Sequence, residues 1–436
     1  MDRLMTLAKS HSDQVELYFL EKSQNSIDFE DAELNDIKST IQSGITMRII
    51  KDHKLGFSYT KNFHNEKELV ENAVDSLKGG VEARFDFPLN KTALTLNTYD
   101  SAIEQATNTR IVNECKRIYS FMPQKTNGQV NIGAVTATTK IRIMNSAGTD
   151  LLTKMSHYFI TVSILYPGSE AGLFRSLAFK SFEKTDDQYL SDLAELYNKG
   201  ERELEVTGGR MKVLFMPETL YALIWRLQSA TNGESLYHQQ SPLVDKLGEK
   251  IFDEQLTIID NPLDDTKPHA RAYDDEGIAC KELSIVDKGV LNNFHYNLYY
   301  ASKMNTEPTG HGFKTSRWPG DTISMKPSPV LRHLTIRPGG KEFWQLVQDI
   351  DRGIIVCGAL GAHSGNIPNG DFSIGLAPGL YVEKGEITGR VKDAMISGNI
   401  YDVMQRVIDI ENRVHAAYTG YYPAVLFGDV NVATKS

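Results

Sequence analysis

Gly209–Ala230 reads GRMKVLFMPETLYALIWRLQSA, and the fold turns on how this stretch is read. Met211–Met216 predicts a strand and Pro217–Ala230 a helix. Leu220, Leu223, Ile224 and Leu227 fall at i, i+3, i+4 and i+7, one apolar stripe on a helix. Pro217 suits the first helical position and Glu218 the positive end of the helix dipole. Asn232-Gly233 is the expected stop, and Leu256–Asp260 the next strand after a long link. The helix carries no His.

Working outward, 436 residues exceed one ordinary core, so two or three domains are expected. With 41% hydrophobic residues the chain can bury sizeable cores. Lys+Arg 47 against Asp+Glu 56 gives −9, which argues against direct nucleic-acid binding. Cys115, Cys280 and Cys357 are odd in number and far apart, which fits a reducing cytoplasm rather than a disulfide framework. Met1–Asp13 lacks the apolar centre of a signal peptide, and no run approaches the length of a membrane span. The expectation is a cytoplasmic protein with no membrane contact.

The expected fold class is α+β. An N-terminal α/β domain over 1–205, with mixed sheets and flanking helices, precedes a β-rich C-terminal domain over 206–436 with a few helices. In the first, Val15–Glu21, Asn25–Glu30, Ile45–Lys51 and Leu55–Thr60 alternate as strands, the last two joined at Asp52-His53. Asn65 and Glu68 form a capping box for a helix ending at Gly79-Gly80. Helices are also expected over 101–119 and 186–201, with strands between Gln129 and Phe182. In the second, Lys281–Val286 and Val290–Tyr296 form a hairpin around Asp287-Lys288-Gly289, and Lys384-Gly385 is a turn leading into Ile387–Val391. Thr306–Gly320 reads as a polar Gly/Pro loop, mobile or at an interface. Helices are expected over 341–350 and 399–410.

Several short stretches, taken in order, resemble the TldD/PmbA family, the "modulator of DNA gyrase" proteins related to metallopeptidases. They are Ser43-Gly44-Ile45, Leu55-Gly56-Phe57-Ser58, Leu247-Gly248-Glu249, Leu256–Asp260, Tyr273–Gly277, Gly370-Asp371-Phe372-Ser373, Glu383–Ile387 and Ile396-Ser397-Gly398-Asn399. The resemblance implies that a TldD-like branch carries a zinc helix of form H-E-x-x-x-H, the His residues binding metal and the Glu activating water. Counted back from Leu247-Gly248-Glu249, those positions fall near Ile224, Trp225 and Ser229. None can take such a role, and no His-Glu pair occurs anywhere in the sequence. The resemblance therefore implies the PmbA (TldE) branch, the subunit without the zinc motif. It implies no catalytic or metal residues in this chain, and zinc in a TldD-like partner. It also implies a dimer with that partner or with itself, inactive alone, that processes unfolded peptide. A hydrolase with an unrecognised site and a homodimeric peptide-binding protein without catalysis remain the alternatives.

Outside that motif, the residues offer thin sites. His238, His269, His295, His311, His333 and His363 show no close metal-type spacing. Cys357…His363…Asp371 is the nearest constellation, against a buried Cys and a loop His. Asp274-Asp275-Glu276-Gly277 lacks the calcium-loop order and reads as a solvated acidic turn. Cys280 as a nucleophile would need His295 as its base. The glycine-bearing loop Gly361–Gly370 is either a wide turn or the rim of a peptide channel. Channel or interface candidates are His311, Arg317, Trp318, His363 and Asp371. An exposed strand edge could also accept peptide by β-addition. Trp225→Ala is expected to damage packing by a few kcal/mol if Trp225 is buried.

Overall fold

A computed structural model of the chain describes residues 1–31, 33–91, 94–315, 320–417 and 420–435. Its architecture is mixed α+β. The first half is one antiparallel seven-stranded sheet. Its order is Val81–Glu82, Lys54–Thr60, Glu33–Lys51, Gln14–Glu30, Gln129–Asn145, Asp150–Leu165 and Gly172–Phe179. The two expected strands between Val15 and Glu30 are one continuous strand, and its partner begins at Glu33 rather than Ile45. The added part, through Ile41, is mostly polar and exposed; pairing with its neighbour holds it extended, a cue that alternation does not carry.

The long strands bury opposite faces at their two ends. Val130, Ile132 and Ala134, with Tyr158, Ile160 and Val162, pack on the helices Asn108–Phe121 and Asp187–Lys199. Toward the other end Ile141, Ile143, Leu151 and Met155 pack against Ala272, Tyr273 and Ile323 of the second half. The helix expected over 101–119 is broken: Ser101–Glu104 and Asn108–Phe121 are separate. Asn65 caps Glu66–Ser76 as expected, accepting the Glu68 N–H at 3.2 Å. Asn65→Ala should lower stability by about 1 kcal/mol. A urea midpoint that does not move would remove the cap from the account.

The second half is built on a ten-stranded mixed sheet and a six-stranded sheet, with Pro217–Ala230 between them. Gly209–Phe215 lies centrally, parallel to Arg352–Val356 and antiparallel to Val425–Thr434. Met211, Val213 and Phe215 enter the core shared with the helix, whereas Leu214 and Met216 enter the core shared with the N-terminal sheet. That two-sided burial is why the strand reads as a near-continuous apolar run.

The helix has the expected bounds but is buried almost all round, including Glu218 and Arg226. Its stop differs: Thr231 ends it, and Asn232 instead caps the next short helix, Gly233–Tyr237. Ile400–Val403 is the only helical part of 399–410; Val407–Ile410 is a strand paired with Val425–Phe427. The β-branched Val407, Ile408 and Ile410 favour that outcome. Turns form as expected at Asp52-His53 and Lys384-Gly385, and the loop expected over Asp287–Gly289 is the pair Lys288-Gly289, Asp287 ending the strand; both residues of each pair have positive φ.

The turn Asp274–Gly277 is not solvated. Asp274, Asp275 and Glu276 are buried, at 0%, 2% and 0% exposure. Arg48, from the N-terminal sheet, binds Glu16 through two 2.8 Å bonds and Glu276 through one of 2.6 Å. Arg271 reaches Asp275 at 2.9 Å, and Asp274 accepts the N–H groups of Glu276, Ile278 and Gly312. The burial of Glu276 has no local cue, because its cation Arg48 lies far off in the sequence.

Candidate functional site: a cleft where three sheets meet

A cleft of about 790 Å³ lies between the N-terminal sheet and the end of the helix Pro217–Ala230. Lys22, His157, Phe159 and Ala178 come from the N-terminal sheet, and Gln228 and Ser229 from the helix. Ala416, Ala417, Gly420 and Tyr421 come from the six-stranded sheet. A second hollow, about 550 Å³, shares Phe159 and Ala417 with it and runs along Glu218, Tyr221 and Trp225 to Gly361–His363.

Local structure explains the walls. His157, Phe159 and Thr161 alternate with buried Tyr158, Ile160 and Val162, so they point to the opposite face of the strand. Tyr221, Trp225 and Ser229 are spaced four apart on the helix and are its only residues that are not buried. Arg226 fixes the facing loop, donating to the carbonyls of Ala362 and Ser364 at 3.1 and 2.7 Å. Gly365 is needed in that loop: its φ is +98°, and a Cβ would come within 2.6 Å of the Asp371 carbonyl oxygen. Glu218, at the helix start, is held by Arg175 at 3.1 Å.

Three sheet edges border the combined space. Gly172–Phe179 ends the seven-stranded sheet, His415–Ala417 the six-stranded one and Ala359–Leu360 the ten-stranded one, among the described residues. Each contributes lining residues. Unpaired edges of this kind offer backbone N–H and C=O groups to an extended chain.

The floor is rich in imidazole. His157 and His269 stand with ring centroids 4.5 Å apart. His333 is 3% exposed; its Nε2 bonds the His269 carbonyl at 2.6 Å and its backbone N–H donates to Asp260 at 2.7 Å. His295 is 1% exposed. Burial holds His295 down to about 3 and His333 to about 4. Burial, and then the charges of Lys22 and Arg332, take His157 to about 4. At neutral pH these rings are uncharged.

The candidates from sequence separate. His311 is wholly buried rather than on a surface: it contacts Asp260 at 3.2 Å and Thr309, behind the cleft wall. The loop that carries it is packed inside from Thr309 to Lys314. Arg317 and Trp318 lie outside the described residues. His363 lines the second hollow. Asp371 is exposed and accepts from Asn399 at 2.9 Å. Cys357 is buried, with its thiol pushed up by burial. Cys280 donates to the Gly310 carbonyl at 3.2 Å, and burial likewise raises its thiol; such a group is no nucleophile. Among the described residues no three of His, Cys, Asp and Glu converge as metal ligands. On the helix Ile224 is sealed in the core, and Trp225 and Ser229, which do reach the cleft, lack imidazole and carboxylate. This donor set does not fit a zinc ion.

Residues 208–434 match the PmbA/TldA metallopeptidase C-terminal domain, and residues 15–77 match domain 1 of the same proteins. The chain belongs to the PmbA/TldD family. An uncharacterized Methanocaldococcus jannaschii protein is 24% identical over 424 residues, spanning 95% of this chain and 96% of its own. The metalloprotease PmbA of Escherichia coli O157:H7 is 27% identical over 221 residues, 51% of this chain and 45% of its own. TldE from Thermococcus kodakarensis shares the PmbA/TldD fold with a TM-score of 0.90 at 21% identity, covering 99% of both chains. A Thermotoga maritima protein provisionally named a modulator of a DNA gyrase gives 0.86 at 25% identity, again over 99% of both. Lys22, Arg332, His157, His269 and His333 were missed as a group by sequence reasoning. Only the density of His in the second half hinted at them.

Proposed function

We propose that this chain is a TldE-like subunit of a TldD/TldE-type metalloprotease system, and that its cleft holds unfolded peptide for a zinc carried by a TldD-like partner. The observation that carries the reading is the helix Pro217–Ala230. Its residues on the two hollows are Glu218, Tyr221, Trp225, Gln228 and Ser229; Glu218 is tied to Arg175 at 3.1 Å, and the others offer a surface suited to contact without imidazole or carboxylate. The sheet edges around it suit main-chain pairing with an extended peptide, which gives affinity with little demand on sequence.

The test has two parts. Metal analysis of the purified chain should give no stoichiometric zinc, and the chain alone should not cleave unfolded casein. Mixed with a chain bearing H-E-x-x-x-H, it should copurify and cleavage should appear. Stoichiometric zinc with peptidase activity in this chain alone would overturn the proposal in favour of an independent hydrolase. A stable homodimer that binds peptide and ignores such a partner would favour a binding protein.

Trp225 is half-buried in the wall of the second hollow, so the condition for a large packing loss is not met. Trp225→Ala should cost only about 1–2 kcal/mol of stability, below the range for a sealed core aromatic. It should weaken peptide binding about tenfold by fluorescence anisotropy. A large fall in melting temperature with unchanged peptide affinity would contradict this.

A further inference from the structure

The inward-facing arginines among the described residues are otherwise matched, Arg226 to four backbone carbonyls and three others to carboxylates. Arg48, Arg175 and Arg271 approach Glu276, Glu218 and Asp275 at 2.6, 3.1 and 2.9 Å. Arg332 is different. It lines the 790 Å³ cleft, its guanidinium lies 5.3 Å from the Phe313 ring, and it makes no hydrogen bond or ion pair among the described residues. Burial lowers it below the usual value for arginine, and Asp275 offsets this only in part, being committed to Arg271 and to the Lys314 N–H. Lys22 faces the same cleft from the N-terminal sheet, also without a hydrogen bond or ion pair among the described residues. Burial and then the Arg332 charge lower its ammonium group. Glu234 is the one carboxylate among the described lining residues, and it is exposed.

Two imidazoles complete the site. His295 and His333 line the cleft almost fully buried, and in each Nδ1 has no hydrogen-bond partner. In His333 the Nε2 must donate to the His269 carbonyl, so Nδ1 is left as a lone pair, an acceptor for an incoming N–H. Two unmatched cations and a buried acceptor together complement a carboxylate with an amide N–H nearby.

We propose that Lys22 and Arg332 clamp a carboxylate of the bound peptide, either its C-terminal group or an Asp or Glu side chain, while His333 accepts a peptide N–H. This rests on the peptide-binding reading above and adds the chemical group that anchors the peptide. The anchor uses charge rather than residue identity, so the terminal group of any peptide would satisfy it.

The experiment uses the full chain and three fluorescent octapeptides. One has a free C-terminus and no acidic residue, the second is its C-terminal amide, and the third is that amide with one internal Glu. The free acid should bind at least tenfold more tightly than the plain amide. Lys22→Met and Arg332→Met should each erase that difference, and Arg332→Lys should keep part of it. If the Glu-bearing amide binds as tightly as the free acid, the site takes a side-chain carboxylate; if it binds like the plain amide, the site takes the chain terminus. Equal binding of all three peptides would overturn the carboxylate clamp while leaving peptide binding intact. If no peptide binds, the peptide reading fails, and succinate then tests the clamp by itself. A succinate-dependent rise in melting temperature that Arg332→Met abolishes would uphold the clamp, and no rise would overturn it.

Discussion

Arg48→Met is expected to cost about 3–5 kcal/mol of folding stability, because it strips the partner from two carboxylates that stay buried. Arg48 is 4% exposed, and among the described residues it alone ties Glu16 of the N-terminal sheet to Glu276 of the buried turn. Burial already pushes the Glu16 carboxyl above its usual range, and Arg48 is what restrains that shift. Without the guanidinium both acids must take up protons or break away from the turn. Urea unfolding at neutral pH reads the loss. Adding Glu16→Gln to Arg48→Met should recover part of it, since one stranded charge is then gone. A loss below about 1 kcal/mol would mean that the network is solvated, contrary to its burial.

Acid should destabilise the fold strongly between pH 6.5 and 4. Folded, His295 and His333 take protons only near pH 3 and 4; their ordinary value is 6.5. In that window the unfolded chain binds more protons than the folded one, so stability falls as pH falls. Each ring contributes about 1.4 kcal/mol per pH unit, or about 6 kcal/mol for both by pH 4. Glu16 and Asp274 act in the opposite sense, because burial raises their carboxyls and the folded state gains protons as the pH drops. The clean reading is therefore a comparison of unfolding free energies with His295→Gln. Its pH slope should be shallower than that of the parent by about 1.4 kcal/mol per unit over this window. Parallel slopes would show that His295 is not held neutral.

The sequence exposes those features whose physics is local. Pro217–Ala230 declares itself by its period, and Lys288-Gly289 and Lys384-Gly385 are turns that need positive φ within two residues. What escapes is set by distant partners. Nothing near Glu276 predicts that a cation 228 residues earlier will seal it from water. Val407–Ile410 reads as helix until its pairing with Val425–Phe427 is known. The site divides in the same way. The missing imidazoles of the helix are legible letter by letter, whereas nothing in the glycine loop itself says that Gly361–His363 line a hollow. Lys22 and Arg332 line one cleft because an N-terminal strand packs against the second half, so no spacing rule could pair them.

One apolar cluster runs through both halves: Ile118 and Ile160 share it with Leu214, Ile355 and Leu426. Parting the halves would wet all of these surfaces at once, which opposes a hinge between them. The gap above is a fixed letterbox rather than a jaw. Under the proposed function, a peptide would have to be slender already, and the frame rather than a moving gate would do the selecting.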